Sequence, residues 1–243
     1  MVINEQTHRL RQVVSAKRSP ATVADRRQRI VDACVEELHE NGFPRIKVES
    51  VAARANIDKK TLYDYIEKKE DLLVLVFEQY LPKLLNDIRE ARQESEDCYE
   101  QLFRMLSTHT QIISDSPHFV LFLYREVRYL DRGDQQNVLA LVNDIHHEYS
   151  SIFSKIQRHE MVSPLSDPIL QASSALTLID MIGLHRSTLG LRNPRDIAAH
   201  IYRSLTGPQA PKLGSDTNGA ELAETHETTE AARDDRCPAQ ISD

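Results

Sequence analysis

Residues Gly42 to Leu72, GFPRIKVESVAARANIDKKTLYDYIEKKEDL, leave this chain little freedom in how it can fold. Val48, Val51, Ala52 and Ala55 recur at i, i+3, i+4 and i+7, which puts one apolar stripe on a short helix. Ala55-Asn56-Ile57 follows as a tight turn, and asparagine tolerates the left-handed backbone that such a turn needs. Asp58 then stands where an N-cap carboxylate would accept the free amides of a second helix. That helix would bury Leu62, Tyr65 and Ile66 and turn Lys60, Thr61, Tyr63 and Asp64 outward. A small-residue helix, a sharp turn and a short helix with cationic, hydroxyl and aromatic groups outside predict a helix-turn-helix sized for the DNA major groove.

The net charge of −7 at first opposes that reading, but its distribution answers the objection. Residues 1–30 carry seven Lys/Arg against two acids, whereas residues 207–243 carry three against eight. A phosphate backbone senses local potential, and here one end is basic and the other acidic. Tryptophan is absent, glycines number seven in 243 residues, and strand-type alternation is hard to find, so an all-α chain is expected. The three cysteines, Cys34, Cys98 and Cys237, share no metal or disulfide spacing, and Cys34 falls on the apolar face of the first helix. This usage fits a reducing cytoplasm. No apolar run approaches the length of a membrane span, and no signal-type apolar region opens the chain.

The expected organisation has four parts. Residues 1–24 read as a mobile basic arm, 25–70 as a three-helix DNA-binding domain, 71–206 as a larger helical domain, and 207–243 as a disordered acidic tail. Asp25 and Gln28 resemble a capping box opening the first helix, which Gly42 ends. A leucine-rich helix from about Lys69 meets Pro82, which should kink or break it. Further helices are expected over about 98–114, 117–131, 134–160, 166–189 and 194–206, separated by Pro, Gly and Asp/Asn signals.

The chain resembles the TetR family of bacterial transcription regulators. The letters that carry the likeness are Arg29-Ile30, Ala33, Leu38, Gly42-Phe43, Val48, Val51-Ala52, Ala55, Ile57, Thr61-Leu62-Tyr63, Tyr65, Lys69-Glu70 and Leu72. Lys47, Asn56, Ile66 and Lys68 depart from the residues usual there, and the two lysines add positive charge. Phase on the second helix assigns base-edge contact to Lys60 and Thr61, with Asp64 as an acceptor from cytosine. The resemblance implies that Tyr63, Tyr65, Lys69 and Lys47 hold phosphates, and Lys59 joins this DNA-binding set. Arg9, Arg11, Lys17, Arg18, Arg26 and Arg27 form either a DNA-tracking arm or an inert leader. The family further implies a homodimer on a palindromic operator and a small-molecule effector that releases a repressor.

For the larger domain the sequence offers its own hints. Segment 169–186 is apolar on more than one face, with Ala172, Ala175 and Gly183 on one side, as a helix facing both its own core and a second subunit would be. The resemblance implies that the last two helices, 166–189 and 194–206, form the dimer surface. In 117–131, Phe119, Phe122, Leu123, Tyr129 and Leu130 fall within about 60° of Glu126 if the helix is regular. A carboxylate aimed into an apolar face is either half of a structural ion pair or part of a ligand cavity. Glu126, Phe122, Tyr129, His109 and His146 are the effector-binding candidates. His146, His147 and Glu148 suggest a metal only weakly, because adjacent histidines point to different helix faces. No phosphate loop, nucleophile elbow, HExxH or paired-carboxylate motif is present, so neither an enzyme nor a cofactor is expected. A DNA-binding architectural protein without ligand control is the alternative.

Overall fold

In the computed structural model, residues 20–116, 118–160, 167–189 and 192–207 are described. The described residues are helices, two single 3-10 turns and short connections, without a strand. The helices are α1 (Pro20–Asn41), α2 (Val48–Arg54), α3 (Lys59–Leu62), α4 (Asp71–Gln93) and α5 (Cys98–Asp115). After them come α6 (His118–Glu126), α7 (Arg132–Glu160), α8 (Pro168–Leu184), α9 (Arg186–Leu189) and α10 (Pro194–Thr206). The 3-10 turns are Phe43–Arg45 and Val127–Tyr129.

Side-chain caps account for several helix starts. Asp97, Asp167 and Asn193 each accept a bond from the backbone amide two residues on, opening α5, α8 and α10, and a proline at the first helical position of α8 and α10 presets φ. Four expectations differ from the structure. The helix expected over 166–189 starts at Pro168 and breaks at His185 into α8 and α9. Helix α1 begins at Pro20, so Asp25 lies inside it and pairs with Arg29 at i,i+4 (3.4 Å) instead of capping. Pro82 neither ends nor breaks α4: it sits on the exposed side, where losing one amide leaves a carbonyl that water can reach. The helix expected over 117–131 stays α only to Glu126 and tightens into the 3-10 turn at Val127.

The head consists of α1, α2 and α3 around Ile30, Val31, Cys34, Leu38, Phe43, Val51, Ala52 and Leu62, each under 5 % exposed. Arg54 of α2 ties into α1 through Glu36, Glu37 and Glu40 (2.7–3.1 Å). Burial pushes the Cys34 thiol far up, so it behaves as a small hydrophobe. In the larger helical domain α5 is central, packing against α4, α7, α8 and α10 with Leu102, Met105 and Leu106 fully buried. Ala172 and Ala175 are also fully buried, so the small side of α8 faces this chain's own core, where α8 packs on α5 and α7. The apolar residues that α8 leaves outside are Ile169, Leu170, Leu178 and Leu184, 37–65 % exposed. The acidic tail and Arg9, Arg11, Lys17 and Arg18 lie outside the described residues.

Candidate DNA-binding face and ligand cavity

The turn takes the form that its letters predict. Asn56 has φ 53°, and Ala55 and Ile57 return their amides to Val51 and Ala52. Asp58 caps α3 by accepting from the Thr61 amide (2.8 Å) and also from the Thr61 hydroxyl (2.7 Å). These bonds hold the Asp58 carboxyl below its usual range. Beyond Leu62 the chain continues in turns through Tyr65, and Leu62 and Ile66 are buried beneath.

Cationic and hydroxyl groups on this face are not equally available. Lys47, Lys60, Tyr63 and Asp64 are exposed. Lys59 is paired with Glu49 and sits over the Tyr63 ring. Lys69 donates to the Pro44 carbonyl (3.1 Å) and lies over Phe43 (4.7 Å to the centroid). Tyr65 is half-buried. Thr61 has already given its proton to Asp58, so toward DNA it offers only a lone pair and a methyl group. Arg26 and Arg27 belong to α1, and Arg27 pairs with Glu78 of α4 (2.9 Å).

A cavity of about 370 Å³ opens within the larger domain between α4, α5, α6, α7 and α8. Its floor is apolar, with Leu84, Ile113, Phe119, Val142 and Leu176 among the lining residues. Two expected effector residues line it, His109 and His146. Glu126, Phe122 and Tyr129 do not: on α6 the cavity takes the side of Val120, Leu123 and Tyr124, Phe122 stacks on His118 away from it, Glu126 shares the side of Phe122, and Tyr129 follows the 3-10 turn. Instead α6 has two working faces. Phe119, Val120, Leu123, Tyr124 and Val127 turn to the cavity. His118 meets His39 of α1 edge-on (centroids 3.7 Å apart), and Tyr129 lies against Phe43 (5.0 Å). Lys68 adds an ion pair from the head to Asp131 before α7 (2.9 Å). Glu126 is buried, and its Oε2 has no hydrogen-bond partner among the described residues.

The polar groups of the cavity complete the picture. His109 is fully enclosed, and burial lowers its pKa to about 3, so the ring is neutral. Tyr149 donates to the Met105 carbonyl (3.2 Å) and therefore accepts from His109 Nδ1 (3.3 Å). His146 Nε2 lies 2.9 Å from Ser173 Oγ, and Tyr124 donates to Asp180 (2.8 Å). Tyr124 and Asp180 escaped the sequence reading because they stand far apart in the chain, though Asp180 is the one acid in the apolar run of α8. Glu148, once grouped with His146 and His147, is held by Arg89 and Arg92. Among the described residues no group of three or more His, Cys, Asp or Glu could hold a metal ion. No described helix is long and apolar enough to cross a membrane.

Comparison with known proteins agrees with this geometry. Residues 30–76 match the family described as bacterial regulatory proteins, tetR family. The fatty acid metabolism regulator protein of Bacillus subtilis (strain 168) is 26 % identical over 127 residues. That match takes in 52 % of this chain but 63 % of the relative, somewhat under two thirds of its length. The crystal structure of FadR from Bacillus subtilis in complex with stearoyl-CoA superposes with a TM-score of 0.64 at 19 % identity, over 73 % of this chain and 96 % of that one. AibR in complex with isovaleryl coenzyme A and operator DNA gives 0.64 at 18 %, over 74 % and 97 %. At such identities these structures establish the shared fold.

Proposed function

We propose, from the match of residues 30–76 to the tetR family of bacterial regulatory proteins, that this chain is a homodimeric transcriptional repressor released from operator DNA by a small apolar effector. The observation that carries the reading is the double role of α6. One face closes the cavity, and the ends of the opposite side touch α1 and the Phe43–Arg45 turn of the head. A ligand that pushes on Phe119 or Leu123 acts on the same rigid element that bears His118 and, through the 3-10 turn, Tyr129. Phe119 also packs on Phe77 and Tyr80 of α4, which rises directly from the head. Two heads read successive major-groove half-sites about 34–36 Å apart, so a tilt of either removes the fit.

On the DNA side Lys60 and Asp64 meet base edges with the Thr61 lone pair, while Lys47, Tyr63 and Tyr65 hold phosphates. Lys59 and Lys69 reach phosphate only by exchanging their internal partners, Glu49 and the Pro44 carbonyl. The exposed Ile169, Leu170, Leu178 and Leu184 of α8, with α10 beside them, supply the dimer surface. The cavity is at the small end of the roughly 300–1,000 Å³ usual for ligand sites, and its apolar floor suits a short aliphatic body. The coenzyme A esters named for the two structural neighbours carry aliphatic acyl chains, the isovaleryl group short and the stearoyl group long, and the size of this cavity favours the short kind.

The test has two arms. Duplexes retained by the full-length protein are enriched from a random pool, and sedimentation gives the stoichiometry of the complex. Two protomers on a palindrome are expected. Val142→Trp, which fills the cavity, should then leave binding intact and abolish release by any effector that acts on the parent. A protein that prefers no duplex, or a filled variant that responds like the parent, refutes the reading.

A further inference from the structure

One wall of the cavity has spent its protons inward. Ser173 donates its hydroxyl proton to the Ile169 carbonyl (3.0 Å) and Thr177 donates to the Ser173 carbonyl (2.8 Å), each one turn back along α8. A hydroxyl has one proton to give, so both present only lone pairs elsewhere. His146 must then donate from Nε2 to Ser173 Oγ. Tyr124 has used its proton on Asp180, and burial together with that bond raises the phenol to about 12, so the proton stays on the phenol. Asp180 receives this one bond, and among the described residues no Lys or Arg pairs with it. Burial pushes its carboxyl up from the usual range, the mark of a charge lacking a partner. Tyr124 is 61 % exposed while Asp180 is half-buried, so the pair stands at the opening and the apolar floor lies behind it.

Resting on the effector reading above, we propose that the cavity selects a ligand with a short apolar body and a hydrogen-bond-donating, non-anionic head, best met by a protonated amine seated between Asp180 and the Ser173/Thr177 lone pairs. An anionic head would find acceptors on every side and a carboxylate facing it. A neutral acceptor head would find no proton to receive. An ammonium has three protons and a charge to match, and it relieves the cost of the unpaired Asp180 carboxylate.

Three probes of equal chain length separate these cases on the full-length protein: octylammonium, methyl octanoate and octanoate, each followed by calorimetry and by the shift in melting temperature. Octylammonium should bind about tenfold tighter or more than either of the others, the scale of one charge-assisted hydrogen bond. Asp180→Asn should remove that preference while the affinity for methyl octanoate stays the same. Octanoate or octanoyl-CoA binding as tightly as the amine in the parent protein overturns the donor-head assignment and leaves the effector cavity standing. An equal loss of all three probes in Asp180→Asn also overturns it, since the residue would then only support the fold. If Val142→Trp fails to weaken any probe, the cavity itself is not the binding place, and both readings fall.

Discussion

His109 makes the stability of this protein depend on acid in a way that one substitution can remove. Its ring is enclosed between α5 and α7, donates to Tyr149 and carries a pKa lowered to about 3 from 6.5, with burial as the cause. The folded-state pKa lies below the unfolded value, so the stabilisation is fully present above about pH 6.5. As the pH falls the unfolded chain takes up a proton that the folded chain refuses until about pH 3. The loss is about 1.4 kcal/mol per pH unit over that window, or roughly 2 kcal/mol between pH 6.5 and pH 5. In a chain of this size each kcal/mol moves the melting temperature by about 2–4 °C, so this residue alone should lower it by roughly 4–8 °C between pH 7 and pH 5. His109→Asn places an amide nitrogen near the Nδ1 position, keeps the donation to Tyr149 and carries no titratable group. Its smaller side chain will lower the melting temperature at pH 7, and that offset is not the readout. Calorimetric melts of both proteins at half-unit steps from pH 7.5 to pH 4.5 give two slopes, and the other titrating groups cancel between them. The parent should fall away more steeply by the amount given. Parallel curves would refute the claim that the ring stays neutral in its enclosure.

Three further outcomes follow from particular side chains. Glu126→Met removes a buried oxygen with no partner among the described residues and should stabilise the fold by about 1–3 kcal/mol; a lower melting temperature would refute the claim that this oxygen is unsatisfied. Lys60→Ala should relax sequence preference at one base position by about 1–3 kcal/mol in a selection from random duplexes, and an unchanged preference would remove Lys60 from the base-reading set. Lys47→Ala should weaken all duplexes alike and make the slope of log affinity against log salt shallower by about one unit; a changed consensus sequence would contradict a phosphate role.

The head was legible because its rules are local. Asn56 and Asp58 act on neighbours within three residues, and the turn needs nothing else to be specified. The same locality made the starts of α5 and α10 readable beside Asp97 and Asn193, whereas α8, expected from 166, starts only after its Asp167 cap. Pro82 misled because the cost of proline depends on which side of the helix it occupies, and that side is set by what α4 packs against. Glu126 misled differently: its apolar surroundings were read correctly, but they belong to the side of α6 turned away from the cavity, and which side that is depends on what α6 docks against. Of the polar wall only His146 was read from the sequence. Whether a hydroxyl offers a proton or a lone pair is decided by bonds such as Tyr124 to Asp180, 56 residues apart, that exist only once the helices are docked.

The two-faced α6 also limits how such a protein can diverge. If α6 transmits as proposed, nine residues, His118–Glu126, carry both the wall of the ligand cavity and a contact with the head. A change at Leu123 or Val120 to admit a larger guest necessarily alters how far the helix moves when that guest arrives. Taste and gain are therefore inherited together: a lineage that acquires a new inducer through α6 also acquires a new dose–response curve.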